Sequence, residues 1–116
     1  MSANKRYCLA VDLKDDPELI KKYCDYHAEG KAWPEITASI KDSGILDMEI
    51  YLTGNRLFMI METTADFSFE KKGAMDAGNA KVQEWESLMS QFQQNLEWAA
   101  DGEKWVQMER IYKLPQ

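Results

Sequence analysis

The sequence predicts one domain of the α+β class, in which helices pack on an antiparallel sheet. Two observations support this prediction. Short apolar segments that are typical of strands are separated by segments with helical periodicity, and two of the strand segments flank a hairpin signal. A length of 116 residues, with 45% hydrophobic and 11% aromatic residues, suits a single folded globule. We find no repeat, low-complexity segment or linker, so residues 1–116 are expected to form one domain.

The first segments predict a strand followed by two helices. "RYCLAVDL" at 6–13 is short, apolar and partly β-branched, as strands are. "DDPELIKKYCDYHAEG" has an aspartate cap, Pro17 at the first helical position and a stop at Gly30. Tyr23 and His27 lie four residues apart on this helix and should share one face. "PEITASIKDSG" repeats the pattern, since a proline opens it and a glycine ends it.

The middle of the chain predicts a β-hairpin. "ILDMEIYLTG" and "NRLFMIMETT" are strand-like and flank a Gly54-Asn55 turn. Alternation places Met48, Ile50 and Leu52 on one face and Asp47, Glu49 and Tyr51 on the other. The segment "LFMIM" is apolar on both faces, which indicates that neither face of this strand meets water.

The last third predicts helix and then strand. From Phe67 to Phe92 the pattern is helical, with breaks expected at Gly73 and Gly78. One helical stripe contains Val82, Trp85, Leu88, Met89 and Phe92. "NLEWAADGE" indicates a loop and "KWVQMERIYKL" a final strand. The order β-α-(α)-β-β-α-β is the split βαβ of a ferredoxin-like sandwich, whose helices cover only one sheet face. Because "LFMIM" is apolar on both faces, something is expected to cover the other face. Sheet-to-sheet dimerisation would do so, and we expect a homodimer of the dimeric α+β barrel type.

Composition argues against several classes of function. A net charge of -6 and a pI near 4.8 disfavour nucleic acid or an anionic membrane as partner. No apolar run approaches the ~20 residues of a membrane span, and "MSANKRYCLA" lacks a signal-peptide pattern, so the cytoplasm is expected. Cys8 and Cys24 are isolated and only one histidine is present, so no metal is expected. No G-x-G-x-x-G follows a strand, and no cofactor is predicted.

The candidate site is a polar-aromatic set around the only histidine. It comprises Tyr23, Tyr26, His27, Trp33, Tyr51 and Trp85. His27 is the one side chain here with an ordinary pKa near neutrality, and aromatic faces beside hydrogen-bonding groups suit sugar rings. Plain packing remains an alternative for each member: Trp85 belongs to an apolar stripe, and Trp33 precedes a helix-starting proline. Composition therefore leaves the function open.

The chain resembles the sugar mutarotase family typified by L-rhamnose mutarotase over nearly its whole length. The resemblance rests on the order and spacing of "YCLAVDL", "Y…H…WPEI", "GI..MEIYL", "RLFMIME", "VQEWESLM" and "MERIYKL". It implies a cofactor-free dimer that interconverts the α and β anomers of a 6-deoxy-L-hexose. The family's proton-transfer histidine corresponds to His27, its substrate-contacting tyrosine to Tyr23 and the first residue of its Trp-Trp pair to Trp85. We therefore expect His27 and Tyr23 to be catalytic, with His27 as acid and base and Tyr23 as an orienting donor or a second proton-transfer group, and Trp85 to be a platform for the sugar.

The sequence departs from the family pattern at three points that bear on which sugar is preferred. The second tryptophan is Glu86 here, an expected tyrosine is Met48, and two residues are inserted between His27 and Trp33. "FSFEKKGAMDA" resembles the branch associated with L-fucose, so we expect L-fucose ahead of L-rhamnose.

Other pocket residues and other functions stay open. Glu49 and Tyr51, which share a strand face, and Trp33 are further substrate-binding candidates. Two alternatives from other classes are a small monooxygenase of the same dimeric architecture, which would bind a haem or an extended aromatic substrate, and a non-catalytic sugar-binding module.

Overall fold

The computed structural model describes residues 3–115 and confirms the α+β class. The first five elements are β1 (Lys5–Leu13), α1 (Pro17–Tyr26), α2 (Pro34–Asp42), β2 (Ile45–Thr53) and β3 (Arg56–Thr63). They are followed by α3 (Phe69–Ala77), α4 (Ala80–Ser90), β4 (Gln93–Gln94) and β5 (Val106–Gln107). The sheet has the order β2-β3-β1-β4, with β5 also paired to β1. β3 lies between β1 and β2 and is antiparallel to both, which is the predicted split βαβ arrangement.

Side-chain caps fix where the helices begin. The Asp16 carboxylate accepts hydrogen bonds from the backbone N–H groups of Glu18 and Leu19, and Pro17 occupies the first turn of α1. Asn79 caps α4 in the same way, through the N–H groups of Lys81 and Val82. These two helices carry the candidate site, so their starting points set its position.

The core lies between the helices and one face of the sheet. Along β3, Leu57, Met59 and Met61 are buried, whereas Phe58 and Ile60, which point the other way, are only half-buried. The helices therefore cover one face in a single protomer, as predicted. The second face carries the half-buried apolar side chains.

The structure corrects two predicted elements. Gly73 lies inside α3 without interrupting it, and only Gly78, at the helix C-cap, separates α3 from α4. A lone glycine costs a helix about 1 kcal/mol relative to alanine, which is too little to end a helix that is otherwise supported.

The predicted final strand is also far shorter than expected. β5 contains two residues, and the Met108 N–H then donates to the Cys8 carbonyl at 2.7 Å. Beyond this point the chain forms no further strand within the described residues, and Ile111 remains 92% exposed. The two-residue strand β4 was not predicted. It pairs with β1 at Asp12 and Leu13, on the edge to which β5 also pairs.

Candidate active site

A cavity of about 570 Å³ lies between the helix-covered face of the sheet and the helices. This volume is within the range of about 300–1,000 Å³ that is typical of small-molecule sites. The sheet supplies an apolar floor from Leu9, Met48, Ile50, Met59 and Met61. Residues of all four helices and of the segment 102–105 form the walls. The floor can pack against a ligand, so polar recognition has to come from the walls.

His27 lies at the C-cap of α1 and lines the cavity. Its Nδ1 is 2.8 Å from the backbone carbonyl oxygen of Tyr23, and its ring stacks on the Tyr23 ring at 4.3 Å. Because a carbonyl can only accept, Nδ1 carries the proton and Nε2 carries the lone pair. Burial lowers the pKa of His27 below its ordinary value of 6.5, although the hydrogen bond to the Tyr23 backbone opposes the shift. His27 is therefore a neutral base near pH 7.

Tyr23 is buried beside His27 and also lines the cavity. Burial raises the pKa of its hydroxyl to about 12, while a hydrogen bond with the Gln93 side chain acts in the opposite direction. The hydroxyl is thus un-ionised near neutral pH. In this form it can both donate and accept a hydrogen bond, which suits it to orient a polar ligand.

Trp85 forms an aromatic wall next to the histidine. Its ring is 5.4 Å from the His27 ring in an edge-to-face arrangement. The Trp33 ring packs edge-to-face on the Trp85 ring at 5.0 Å and is not among the residues that line the cavity. Trp33 thus contacts Trp85 and not the cavity, and it restrains the Trp85 ring.

Glu49 and Tyr51 lie away from this cavity, so the expectation that they line the pocket is not met within one protomer. Side chains alternate along a strand, and in β2 it is Met48 and Ile50 that face the helices. The Tyr51 hydroxyl donates to the Glu49 carboxylate, and Tyr51 is 53% exposed. Both residues therefore belong to the opposite, uncovered face of the sheet.

Sequence reasoning missed several polar residues of the cavity, namely Thr37, Ser39, Lys72, Asp76, Gln93 and Lys104. A Lys and an Asp four residues apart on a helix ordinarily form a solvent-exposed pair, and nothing local shows that this pair faces a cavity. Gln93 belongs to the unpredicted strand β4, so its proximity to Tyr23 also depends on the tertiary fold. The two departures Met48 and Glu86 both line the cavity.

The described part of the chain offers no group of three or more His, Cys, Asp or Glu side chains that could hold a metal ion. None of its helices is long and apolar enough to cross a membrane. The residues that meet at the cavity are a neutral histidine base, an un-ionised tyrosine and a tryptophan. Together they can move a proton on a ligand that has both hydroxyl groups and an apolar face.

Comparisons with known proteins agree with one another. A family model described as L-rhamnose mutarotase matches residues 6–114. An L-fucose mutarotase from Xanthomonas campestris pv. campestris is 41% identical, over 97% of this chain and 90% of that protein. A Dictyostelium discoideum protein whose name states no activity is 37% identical, over 95% of this chain and 90% of its own length. The crystal structure of an L-rhamnose mutarotase from Formosa agariphila superposes with a TM-score of 0.68 and 20% identity, over 96% and 99% of the two chains. At that identity the structural likeness concerns the fold.

Proposed function

This chain belongs to the L-rhamnose mutarotase family, and on that premise we propose that it interconverts the α and β anomers of a 6-deoxy-L-hexose, with L-fucose ahead of L-rhamnose. It is a sugar mutarotase, an isomerase that acts on the anomeric carbon. The observation that carries the proposal is the neutral, oriented imidazole of His27 on the wall of a cavity with an aromatic side and an apolar floor.

Mutarotation requires proton transfer at two oxygen atoms. The proton of the anomeric hydroxyl is removed, the bond between the anomeric carbon and the ring oxygen breaks, and the ring oxygen takes up a proton. The resulting open-chain aldehyde rotates, and closure on its other face reverses these transfers. In our proposal Nε2 of His27 accepts the hydroxyl proton, because Nδ1 is held by the Tyr23 carbonyl. The imidazolium then gives this proton to the ring oxygen as the bond between that oxygen and the anomeric carbon breaks. On closure Nε2 takes the proton back from the resulting hydroxyl and returns it to the aldehyde oxygen, so the cycle has no net proton change.

Tyr23 and Trp85 would hold the sugar in position. The Tyr23 hydroxyl, with its pKa raised to about 12, is better suited to hydrogen bonding than to ionisation. We assign it the role of orienting the anomeric end of the sugar. The Trp85 ring offers a platform for the apolar face of the sugar, and the edge-to-face contact with Trp33 stabilises that platform.

Two observations support L-fucose over L-rhamnose. The relative that shares 41% identity with this chain bears the name L-fucose mutarotase. Met48 and Glu86, which stand at aromatic positions of the rhamnose-type pattern, both line the cavity. L-fucose and L-rhamnose differ in configuration at C2 and C4, so altered side chains around the ring can reverse the preference.

We also propose that the active form is a homodimer joined through the uncovered sheet face, working in the cytoplasm. Phe58 and Ile60 on that face are half-buried in the single protomer, and a second copy would remove them from water. The C-terminal segment presents further apolar side chains, of which Ile111 is 92% exposed. Cys8 and Cys24 are both free thiols, as suits a reducing compartment.

Saturation-transfer NMR of the anomeric protons tests the activity directly. The purified protein is added to L-fucose, L-rhamnose and a set of D-sugars at anomeric equilibrium. We expect magnetisation to pass between the α and β signals of the 6-deoxy-L-hexoses, fastest for L-fucose. Binding of these sugars without faster exchange would contradict the proposal and indicate a sugar-binding module.

A further inference from the structure

An ion pair on α3 faces the cavity. Lys72 Nζ donates to a carboxylate oxygen of Asp76 one helical turn away, and both residues line the cavity. The side chains of Lys72 and Asp76 are only 23% and 13% exposed to solvent. The pair Lys21–Asp25 on α1 has the same spacing outside the cavity, and its side chains are 79% and 66% exposed. The α3 pair has therefore lost most of its hydration beside a space large enough for a ligand.

This pair has hydrogen-bonding capacity that the fold leaves unused. An ammonium group has three donors and a carboxylate about four acceptor positions, whereas one hydrogen bond joins Lys72 to Asp76. Removing two charges from water costs free energy that their mutual attraction recovers only when further hydrogen bonds are made. A ligand hydroxyl can supply those bonds, because it accepts from the ammonium and donates to the carboxylate.

The rest of the cavity explains why a sugar needs this pair. The side chains that β1, β2 and β3 contribute to the cavity are all apolar and offer no conventional hydrogen bond to a hydroxyl, and Gln93 of β4 is already hydrogen-bonded to Tyr23. His27 and Tyr23 serve the anomeric end, and Glu86 lies exposed on α4. Hydroxyls on the remaining ring carbons would be left without partners, at a cost in binding, unless other walls supply polar groups. Thr37 and Ser39 of α2 and Lys104 are polar lining residues, and α3 adds two opposite charges joined by a hydrogen bond, which can donate to and accept from the same hydroxyl.

We infer that Lys72 and Asp76 form a hydroxyl-binding subsite that recognises ring hydroxyls remote from the anomeric carbon and distinguishes 6-deoxy-L-hexoses that differ in ring configuration. This inference rests on the proposed mutarotase function, because it assigns a further contact to the same sugar. The pair takes no part in proton transfer. It acts as a specificity determinant, so its effect appears in the relative rates for two sugars.

The test compares Lys72→Met and Asp76→Asn with the wild-type protein. Anomeric exchange is measured by NMR over a range of L-fucose and L-rhamnose concentrations, which gives kcat/KM for each sugar. Lys21→Met and Asp25→Asn are the matched controls, since they break an i,i+4 pair outside the cavity. The ratio of the two kcat/KM values, measured on one preparation, does not depend on the fraction of the sample that is folded.

We expect each α3 variant to lose about 10- to 100-fold in kcat/KM for the preferred sugar, as is typical when a hydrogen bond to a charged group is lost, and less for the other sugar. The control variants should retain the wild-type ratio. An unchanged ratio in the α3 variants, with wild-type exchange present, would overturn the subsite alone. If the wild-type protein exchanged neither sugar, the proposed function would fail and this inference with it.

Discussion

The backbone carbonyl of Tyr23 holds Nδ1 of His27 at 2.8 Å, and the ring of the same tyrosine stacks on the imidazole at 4.3 Å. One residue therefore sets both the tautomer and the plane of the histidine, from the preceding turn of α1. A histidine at a helix C-cap would otherwise be free to rotate about two side-chain torsions. The contact leaves Nε2 as the basic nitrogen, which is the property that proton transfer at a sugar hydroxyl requires.

Replacing His27 with asparagine should slow anomer exchange by about 10²- to 10⁴-fold, the usual contribution of a general acid or base. Asparagine is polar but cannot take up a proton near neutral pH, so folding should survive while the chemistry is lost. NMR exchange rates measure the loss, and circular dichroism with scattering checks that fold and mass are unchanged. Exchange close to the wild-type rate would show that His27 is only a helix-terminal residue.

The pH dependence should report the neutral form of His27. Because burial lowers its pKa below 6.5, the imidazole is mostly unprotonated at pH 6.5 and above, and kcat/KM should be level there. Below 6.5 the rate should fall as pH decreases through the lowered pKa, because protonation removes the base.

The same shift affects stability with a defined sign. Protons bind the unfolded chain more readily than the folded one in this range, so the free energy of unfolding should decrease as pH falls from 6.5 through the lowered pKa. Urea titrations of wild type and His27→Asn at several pH values measure this, and the decrease should be smaller in the variant. If kcat/KM for anomer exchange instead increased as the pH fell, the protonated histidine would be the working form.

Tyr23→Phe should reduce exchange by less than His27→Asn. The ring remains to stack on His27 and the backbone carbonyl is unchanged, so only the hydroxyl and its hydrogen bond with Gln93 are lost. We expect a destabilisation of about 1 kcal/mol from the unpaired Gln93 amide. Parallel measurement of exchange and urea unfolding separates the two effects. A loss as large as that of His27→Asn would make the hydroxyl a second proton-transfer group.

Local patterns predict most of the fold and the centre of the site. The cap before α1, the hairpin and the alternation in β2 are all encoded within a few residues, and they appear as predicted. Tyr23 and His27 share a face because they lie one turn apart on one helix. The predictions that failed depend on contacts between residues that are distant in sequence. The last strand ends after two residues although its composition suits a longer strand. Lys72 and Asp76 look like a surface ion pair in the sequence, and only the tertiary fold shows that they are mostly buried.

The proposed homodimer predicts how the mass in solution responds to a change on the uncovered face. The wild-type protein should sediment at about twice 13.4 kDa at micromolar concentration. Ile60→Glu places a charge among half-buried apolar side chains of that face and should shift the protein toward monomer, because a buried unpaired charge is costly. Met75→Glu, at an exposed apolar residue of α3, is the matched control and should leave the mass unchanged. A wild-type monomer would contradict the proposed assembly.

Glu86→Trp should move the sugar preference toward L-rhamnose. The residue lies on α4 next to Trp85 and lines the cavity, so a tryptophan there restores the aromatic pair of the rhamnose-type pattern. Glu86 is exposed at present, and its replacement is expected to leave the buried core intact. Differences of shape in a pocket are worth about 1–3 kcal/mol, or roughly 10- to 200-fold in kcat/KM, so a reversal of a modest preference is within reach.

Glu84→Trp, on the same helix and outside the cavity lining, controls for adding an indole to α4. The decisive measurement is the ratio of L-fucose to L-rhamnose exchange in the three proteins. If Glu86→Trp and Glu84→Trp both keep the wild-type ratio, position 86 does not select the sugar, and the case for L-fucose would then rest on Met48 and on the likeness to the L-fucose mutarotase.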